Sequence, residues 1–194
     1  VGGYMIYVGL TITGNPIISF LVSVLLCITL GITIEKIAYR PLRGASPLAV
    51  LITAIGVSYL LQSIAQMAFG SAPKFVIIAD LGTLKMGPIA IGYSTIITLA
   101  CSAVIMVALN LFVKFSKTGR AMIAVSEDKG AAQLMGINVN GIIMITFAIG
   151  SALAALAGLF YLLKAPSISS TLGAMPGIKA FTAAVIGGIG SIPG

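Results

Sequence analysis

Residues able to do covalent or proton chemistry are scarce in this sequence, and their placement is informative. The chain has 194 residues, with 4 acidic residues and no histidine. Two of the acids, Glu127 and Asp128, are neighbours. On a helix adjacent side chains diverge by about 100°, so this pair does not converge as a general acid and base. The two cysteines, Cys27 and Cys101, both lie in apolar stretches. They offer neither a disulfide framework nor a metal-ligand spacing. Nothing pairs a nucleophile with a base, and no metal cluster is spelled out, so an enzyme is not expected. No Gly-Lys dipeptide occurs, so the phosphate-cradling Gly-Lys-Ser/Thr loop is absent. No cofactor is expected. If ATP drives this protein, a separate subunit must bind it.

The elements around these residues are apolar. The chain is 59% hydrophobic and 8% charged, against about 25% charged in ordinary soluble domains. No charged residue precedes Glu35, a stretch longer than the roughly 20 apolar residues a bilayer-spanning helix needs. The expected fold is all-α: a polytopic transmembrane helical bundle, read as one permease domain over 1–194. Spans are expected at 16–34, 48–69, 89–113 and 141–163. A partial span is expected at 1–12, and a partial or re-entrant one at 178–190. The turn Thr13-Gly14-Asn15-Pro16 closes the first of these. Both ends read as cut from a longer protein.

The net charge is +7, but the basic residues are scattered through hydrophilic breaks. They form no stripe for nucleic acid, and they read as topology signals. The breaks are 35–47, 70–88, 114–140 and 164–177. The first and third hold seven of the Lys and Arg residues, the second and fourth three. The positive-inside bias therefore places the first and third breaks in the cytoplasm. The second break, Phe75–Gly87, has β-propensity and a turn signal at Asp80-Leu81-Gly82, and reads as a small external hairpin.

The four complete spans, 16–34, 48–69, 89–113 and 141–163, contain no Asp, Glu, Lys, Arg or His. A proton-coupled carrier needs a titratable group at depth, so that class is disfavoured. Sodium-coupled carriers can use carbonyls and hydroxyls, so they and passive channels stay open, as does a scaffold that moves nothing. Thr53, Ser58, Gln62 and Gln66 are polar positions within one span. They either line a pathway or hydrogen-bond between helices. Gly150, Ala154 and Gly158 recur every four residues and form a small face suited to close helix approach. Near the end, Gly187-Gly188-Ile189-Gly190 should interrupt the last apolar helix. There backbone could face a pathway, or helices could simply pack closely.

In the third break Ser126 is a good N-cap residue. Glu127 and Asp128 then fall in a first turn, where negative charge suits the helix dipole. Ala131, Ala132, Leu134 and Met135 continue the helix, and Gly136 suits a left-handed cap. A short capped helix over Glu127–Met135 is expected on the cytoplasmic face.

Several segments, in order, resemble a known family. They are Ala38-Tyr39-Arg40-Pro41-Leu42-Arg43, Thr53-Ala54-Ile55-Gly56-Val57-Ser58, Thr118-Gly119-Arg120-Ala121, Gly130-Ala131-Ala132-Gln133-Leu134-Met135-Gly136 and Phe181 to Gly194. Together they resemble the LivH-type permease of branched-chain amino acid ABC importers. Gly130 stands where the family's cytoplasmic loop carries Glu. The resemblance implies a multi-pass subunit of a prokaryotic plasma (inner) membrane that carries a small molecule. It also implies cytoplasmic ATP-binding subunits, a second related permease, and a periplasmic or lipid-anchored substrate-binding protein. On this reading Glu127, Asp128, Ala131, Ala132, Leu134 and Gly136 belong to an ATPase-coupling helix. Candidate pathway-lining residues are Thr53, Ser58, Gln62, Thr182, Gly187, Gly188 and Gly190. Related permeases for urea, short amides or pentoses are the neighbouring alternatives.

Overall fold

In a computed structural model the described residues are 2–42, 44–75, 83–86, 89–186 and the two glycines 187 and 188. Four helices among them are long and apolar enough to cross a membrane: Pro16–Tyr39, Leu48–Phe69, Tyr93–Phe115 and Val139–Lys164. Two shorter apolar helices are Gly2–Ile12 and Ala174–Ile186. The chain is an all-α membrane protein whose described strands are short. It divides into two compact units, Val1–Ala79 with Phe147–Leu172, and Asp80–Thr146 with Gly173–Gly194.

The first unit opens with a helical hairpin of α1 (Gly2–Thr13) and α2 (Pro16–Ile34). The turn follows local chemistry. Gly14 takes φ +65°, a left-handed conformation that glycine adopts without steric cost. The Asn15 side chain accepts from the Ile17 N–H at 3.1 Å, and Pro16 occupies the first helical turn, where its missing N–H is harmless. Small residues set the spacing. A Cβ on Gly9 would lie 2.8 Å from the Ser19 Cα, and Ser23 Oγ donates to the Gly2 carbonyl at 2.9 Å. Ser19 and Ser23 are fully buried.

Helix α2 does not stop at the first charged residue. It continues as a π-helical turn over Glu35–Tyr39, with the Arg40 N–H donating five residues back to the Glu35 carbonyl at 2.8 Å. Glu35 is only 3% exposed there. The hydrophilic break expected from Glu35 thus begins as helix, and the spanning helix carries a buried carboxyl near one end. Its neighbour Tyr39 packs on Phe147 with ring centroids 5.0 Å apart.

After Ser46, whose hydroxyl accepts from the Ala49 N–H at 3.4 Å, α3 runs from Pro47 to Phe69. Gly70 ends it at φ +83°. The part of α7 (Val139–Lys164) within this unit packs on α1 through Ala155, Gly158 and Leu162, and meets Gly31 of α2 through Ser151. Ala155 and Leu162 are buried, and a Cβ on Gly158 would sit 3.6 Å from the Gly3 nitrogen. The expected small face lies one residue away. Gly150 and Ala154 are exposed, and only Gly158 is shared. The unit's core joins Tyr4, Ile6, Leu162 and Ile168, with Phe69 stacked on Tyr4 at 4.6 Å.

β-structure falls in two places where one hairpin was expected. Lys74–Phe75 (β1) pairs antiparallel with Ser167–Ile168 (β4). Thr83–Met86 (β2) pairs antiparallel with Ile89–Gly92 (β3). The expected hairpin Phe75–Gly87 is therefore shifted along the chain, and its residues 76–82 and 87 lie outside the described ones. β3 takes the first four residues of the span expected at 89–113. Gly92 is extended at φ −65°, ψ 135°, and the helix starts after it.

The second unit holds α4 (Tyr93–Phe115), α5 (Lys117–Glu127), α6 (Lys129–Leu134), the start of α7, and α8 (Ala174–Ile186). α4 has no buried residue and exposes Leu99, Val104, Met106, Val107 and Leu111, as a helix facing lipid or apolar partners does. The last helix starts four residues before its expected position and stops at Ile186. Gly187 caps it, and Gly188 turns left-handed at φ +86°, so the expected glycine interruption falls at that point.

Candidate coupling helix and intramembrane cleft

The short helix of the third break is set up by a sharp corner. Ser116 leaves the helical region at φ −79°, ψ 150°, and its hydroxyl accepts from the Gly119 N–H at 2.8 Å. Gly119 is buried and lies against the end of α4. A Cβ there would overlap the Val113 backbone and lie 2.6 Å from the Phe112 carbonyl oxygen. Glycine at this position lets α5 fold back on α4.

The expected Ser126 cap is not formed. Ser126 lies inside α5, and its hydroxyl donates to the Ile123 carbonyl at 2.7 Å. Glu127 ends α5 rather than starting the next helix. The cap is Asp128, extended at φ −146°, ψ 111°. Its Oδ1 accepts from the Gly130 N–H at 2.7 Å and the Ala131 N–H at 3.1 Å. Asp and Ser cap almost equally well. Here α5 runs on through Ser126 to Glu127, which leaves Asp128 as the cap. Gly130 also fits this cap closely, since a Cβ there would stand 3.3 Å from Asp128 Oδ1.

The other end closes as the glycine predicts. Gly136 is left-handed at φ +80°. Ile137 N–H donates to the Ala132 carbonyl and Gly136 N–H to the Gln133 carbonyl, both at 3.0 Å. This is the Schellman pattern, which satisfies the last carbonyls of a helix. Asn138 Oδ1 then accepts from the Gly141 N–H at 3.1 Å as α7 begins. The short helix is thus fixed at both ends. Ala132 faces inward at 4% exposure, whereas Leu134 and Met135 stand out at 91% and 83%. Two adjacent apolar side chains on a charged, basic loop form a knob suited to an apolar groove on a partner.

The polar positions singled out in the spans mostly satisfy themselves. Thr53 Oγ1 donates to the Ala49 carbonyl at 2.9 Å, and Thr182 Oγ1 to the Ile178 carbonyl at 2.8 Å. Ser58 and Gln62 come together, with Gln62 Nε2 donating to Ser58 Oγ at 3.1 Å. Gln66 accepts the Gly70 N–H through its backbone carbonyl. Thr53, Ser58 and Gln62 belong to the first unit, and Thr182, Gly187 and Gly188 to the second. Gly190 lies outside the described residues. Among the described residues no three His, Cys, Asp or Glu side chains gather as a metal site.

The first unit also holds a cleft of about 260 Å³ that the sequence did not flag. Cys27, Leu30, Gly31 and Ile34 of α2 line it, with Leu61 of α3, Ser151 and Ala154 of α7, and Gly2. A Cβ on Gly31 would overlap Ser151 Oγ, so α2 and α7 touch there and open beside the contact. Gly31 within an apolar run was the available signal.

Comparison with known proteins decides what these elements belong to. The family model described as the branched-chain amino acid transport system / permease component matches residues 1–194. The chain belongs to this permease family. It is 38% identical over 208 residues to the high-affinity branched-chain amino acid transport system permease protein BraD of Pseudomonas aeruginosa, covering 100% of this chain and 68% of that relative. It is 40% identical over 185 residues to the corresponding permease protein LivH of Escherichia coli, covering 90% of this chain and 58% of the relative. The ribose import permease protein RbsC of Haemophilus influenzae is 39% identical over only 75 residues, or 39% of this chain and 23% of the relative. The pentose alternative is therefore a distant and partial likeness. No solved structure matches. The chain is a transport component and not an enzyme, in keeping with its family.

Proposed function

We propose that this permease forms part of the membrane pathway of an ATP-driven importer for leucine, isoleucine, valine and related amino acids. Its site is the prokaryotic inner membrane. The first and third hydrophilic breaks face the cytoplasm, as their Lys and Arg excess favours. The observation that carries the reading is the doubly capped helix Lys129–Leu134 with Leu134 and Met135 exposed beside it. Residues 1–194 hold no phosphate-binding loop, and on this reading the energy of ATP arrives through such a contact.

In this reading Asp128, Ala131, Ala132, Leu134 and Gly136 form the coupling element, with Glu127 at the end of the preceding helix. The element seats in a groove of a cytoplasmic ATP-binding subunit. Closure of paired ATPases pushes on it. The Ser116–Gly119 corner passes that displacement to α4, and Asn138 passes it to α7. Access then switches between two arrangements of the spans. A second related permease completes the pathway, and a periplasmic or lipid-anchored binding protein delivers the amino acid. The family match over the whole chain supports branched-chain substrates.

The test is reconstitution of the full-length subunit with its partner permease, ATPases and binding protein in proteoliposomes. ATP-dependent uptake of labelled leucine is expected. Uptake without ATP, or none of leucine while urea, short amides or ribose are carried, would refute the reading.

A further inference from the structure

The intramembrane cleft of the first unit has a size, a lining and a free polar group that point to an occupant. Its walls carry Leu30 and Ile34 of α2, Leu61 of α3 and Ala154 of α7, with Cys27 and Ser151 as the more polar side chains. Ser151 and Cys27 both lie near the middle of their spanning helices, so the cleft is at membrane depth. Several hydroxyls on spanning helices are spent on their own backbone. Thr53, Thr98 and Thr146 donate to carbonyls four residues back at 2.9, 2.7 and 2.9 Å. Ser151 makes no hydrogen bond among the described residues. In an apolar medium an unpaired hydroxyl is costly, so a polar atom that reaches it is favoured.

We infer that this cleft seats the transported amino acid, with its branched side chain among Leu30, Ile34, Leu61 and Ala154 and a polar atom hydrogen-bonded to Ser151. The inference rests on the proposed function and names the place where substrate is recognised. Capacity supports it. A cavity of about 150 Å³ takes benzene with about six heavy atoms, so one near 260 Å³ takes about ten, and leucine has about nine. The aliphatic wall takes the branched side chain and rejects charged side chains by desolvation, while the ammonium and carboxylate stay at the open mouth of the cleft, where their charges remain solvated.

The native cysteines supply the test in the assembled importer. Cys27 lines the cleft, and Cys101 on α4 does not. N-ethylmaleimide labelling of each is timed with and without millimolar leucine. Leucine is expected to slow Cys27 labelling about threefold or more, as a bound ligand present above its dissociation constant does. Cys101 labelling should be unchanged. In a second arm Ala154→Leu narrows the cleft at an exposed position. The leucine-to-valine uptake ratio should then fall about fivefold or more, within the discrimination expected of one methylene in an apolar pocket. If wild-type imports leucine, yet Cys27 is unprotected and Ala154→Leu leaves the ratio unchanged, the cleft assignment is overturned while the transport reading stands. If the importer carries no branched-chain amino acid, the transport reading fails first and the cleft assignment falls with it.

Discussion

Leu134 is the sharpest probe of force transfer. It is 91% exposed, so it contributes little to the fold, and truncating it should alter stability by no more than about 0.5 kcal/mol. If it seats in an apolar groove of an ATPase, nearly its whole side chain leaves water on docking. Leu134→Ala removes three carbons at about 0.8 kcal/mol each, a loss of about 2 kcal/mol. That is about thirtyfold in dissociation constant. Leu134→Asp adds the cost of desolvating a carboxylate and should abolish co-purification. Ala132 is a poor probe despite its place in the same helix, because at 4% exposure an Asp there disrupts packing before any partner is met. The assay titrates purified ATPase against the permease in nanodiscs, with thermal stability measured in parallel. Leu134→Ala binding within about twofold of wild type, at unchanged stability, would refute the docking geometry, since the expected loss is near 2 kcal/mol.

Asp128→Ala should loosen the short helix by about 1 kcal/mol, while Ser126→Ala should be nearly neutral. Hydrogen exchange over residues 128–137 reads the difference, and equal effects would return the cap to Ser126. Gly119→Ala places a methyl group on the backbone of Val113 and Phe112, with an expected cost of about 3 kcal/mol and lowered yield in detergent. Gly31→Ala should be damaging because the new Cβ meets Ser151 Oγ and Cβ. Ser151→Gly in the same chain should restore about 1 kcal/mol or more of thermal stability, and strict additivity would place the two residues apart.

What the sequence made legible were features a helix settles with its own backbone. The spans follow from length and hydropathy. The Gly14 turn, the left-handed Gly136 and the break at Gly187-Gly188 follow from glycine conformation. Where two local choices cost the same, local reading had no basis to decide. Ser126 and Asp128 are equivalent caps two residues apart, and in the fold α5 continues through Ser126, so the role passes to Asp128. The same degeneracy shifted the small-residue seam. The run Gly150 to Gly158 offers small side chains on adjacent faces, so periodicity alone cannot say which one meets a neighbour. Gly2 and Gly3 on α1 and Gly31 on α2 select Ser151, Ala155 and Gly158.

That dependence on partners explains why the cleft escaped a reading of sequence, and where its specificity would lie. Polar residues drew notice because they are rare in spans, yet Thr53 and Thr182 are satisfied by their own helices and Ser58 by Gln62. Ser151 drew none, as one small residue in a small-residue run. Its chemistry arises only because Gly31 brings α2 near enough to make the cleft wall. A pathway for a solute with an aliphatic side chain needs mostly apolar walls and few strong polar contacts, since tight polar binding would hold the solute between access states. Recognition in such a channel resides in helix spacing, which glycine and serine set, more than in any residue whose type announces a ligand.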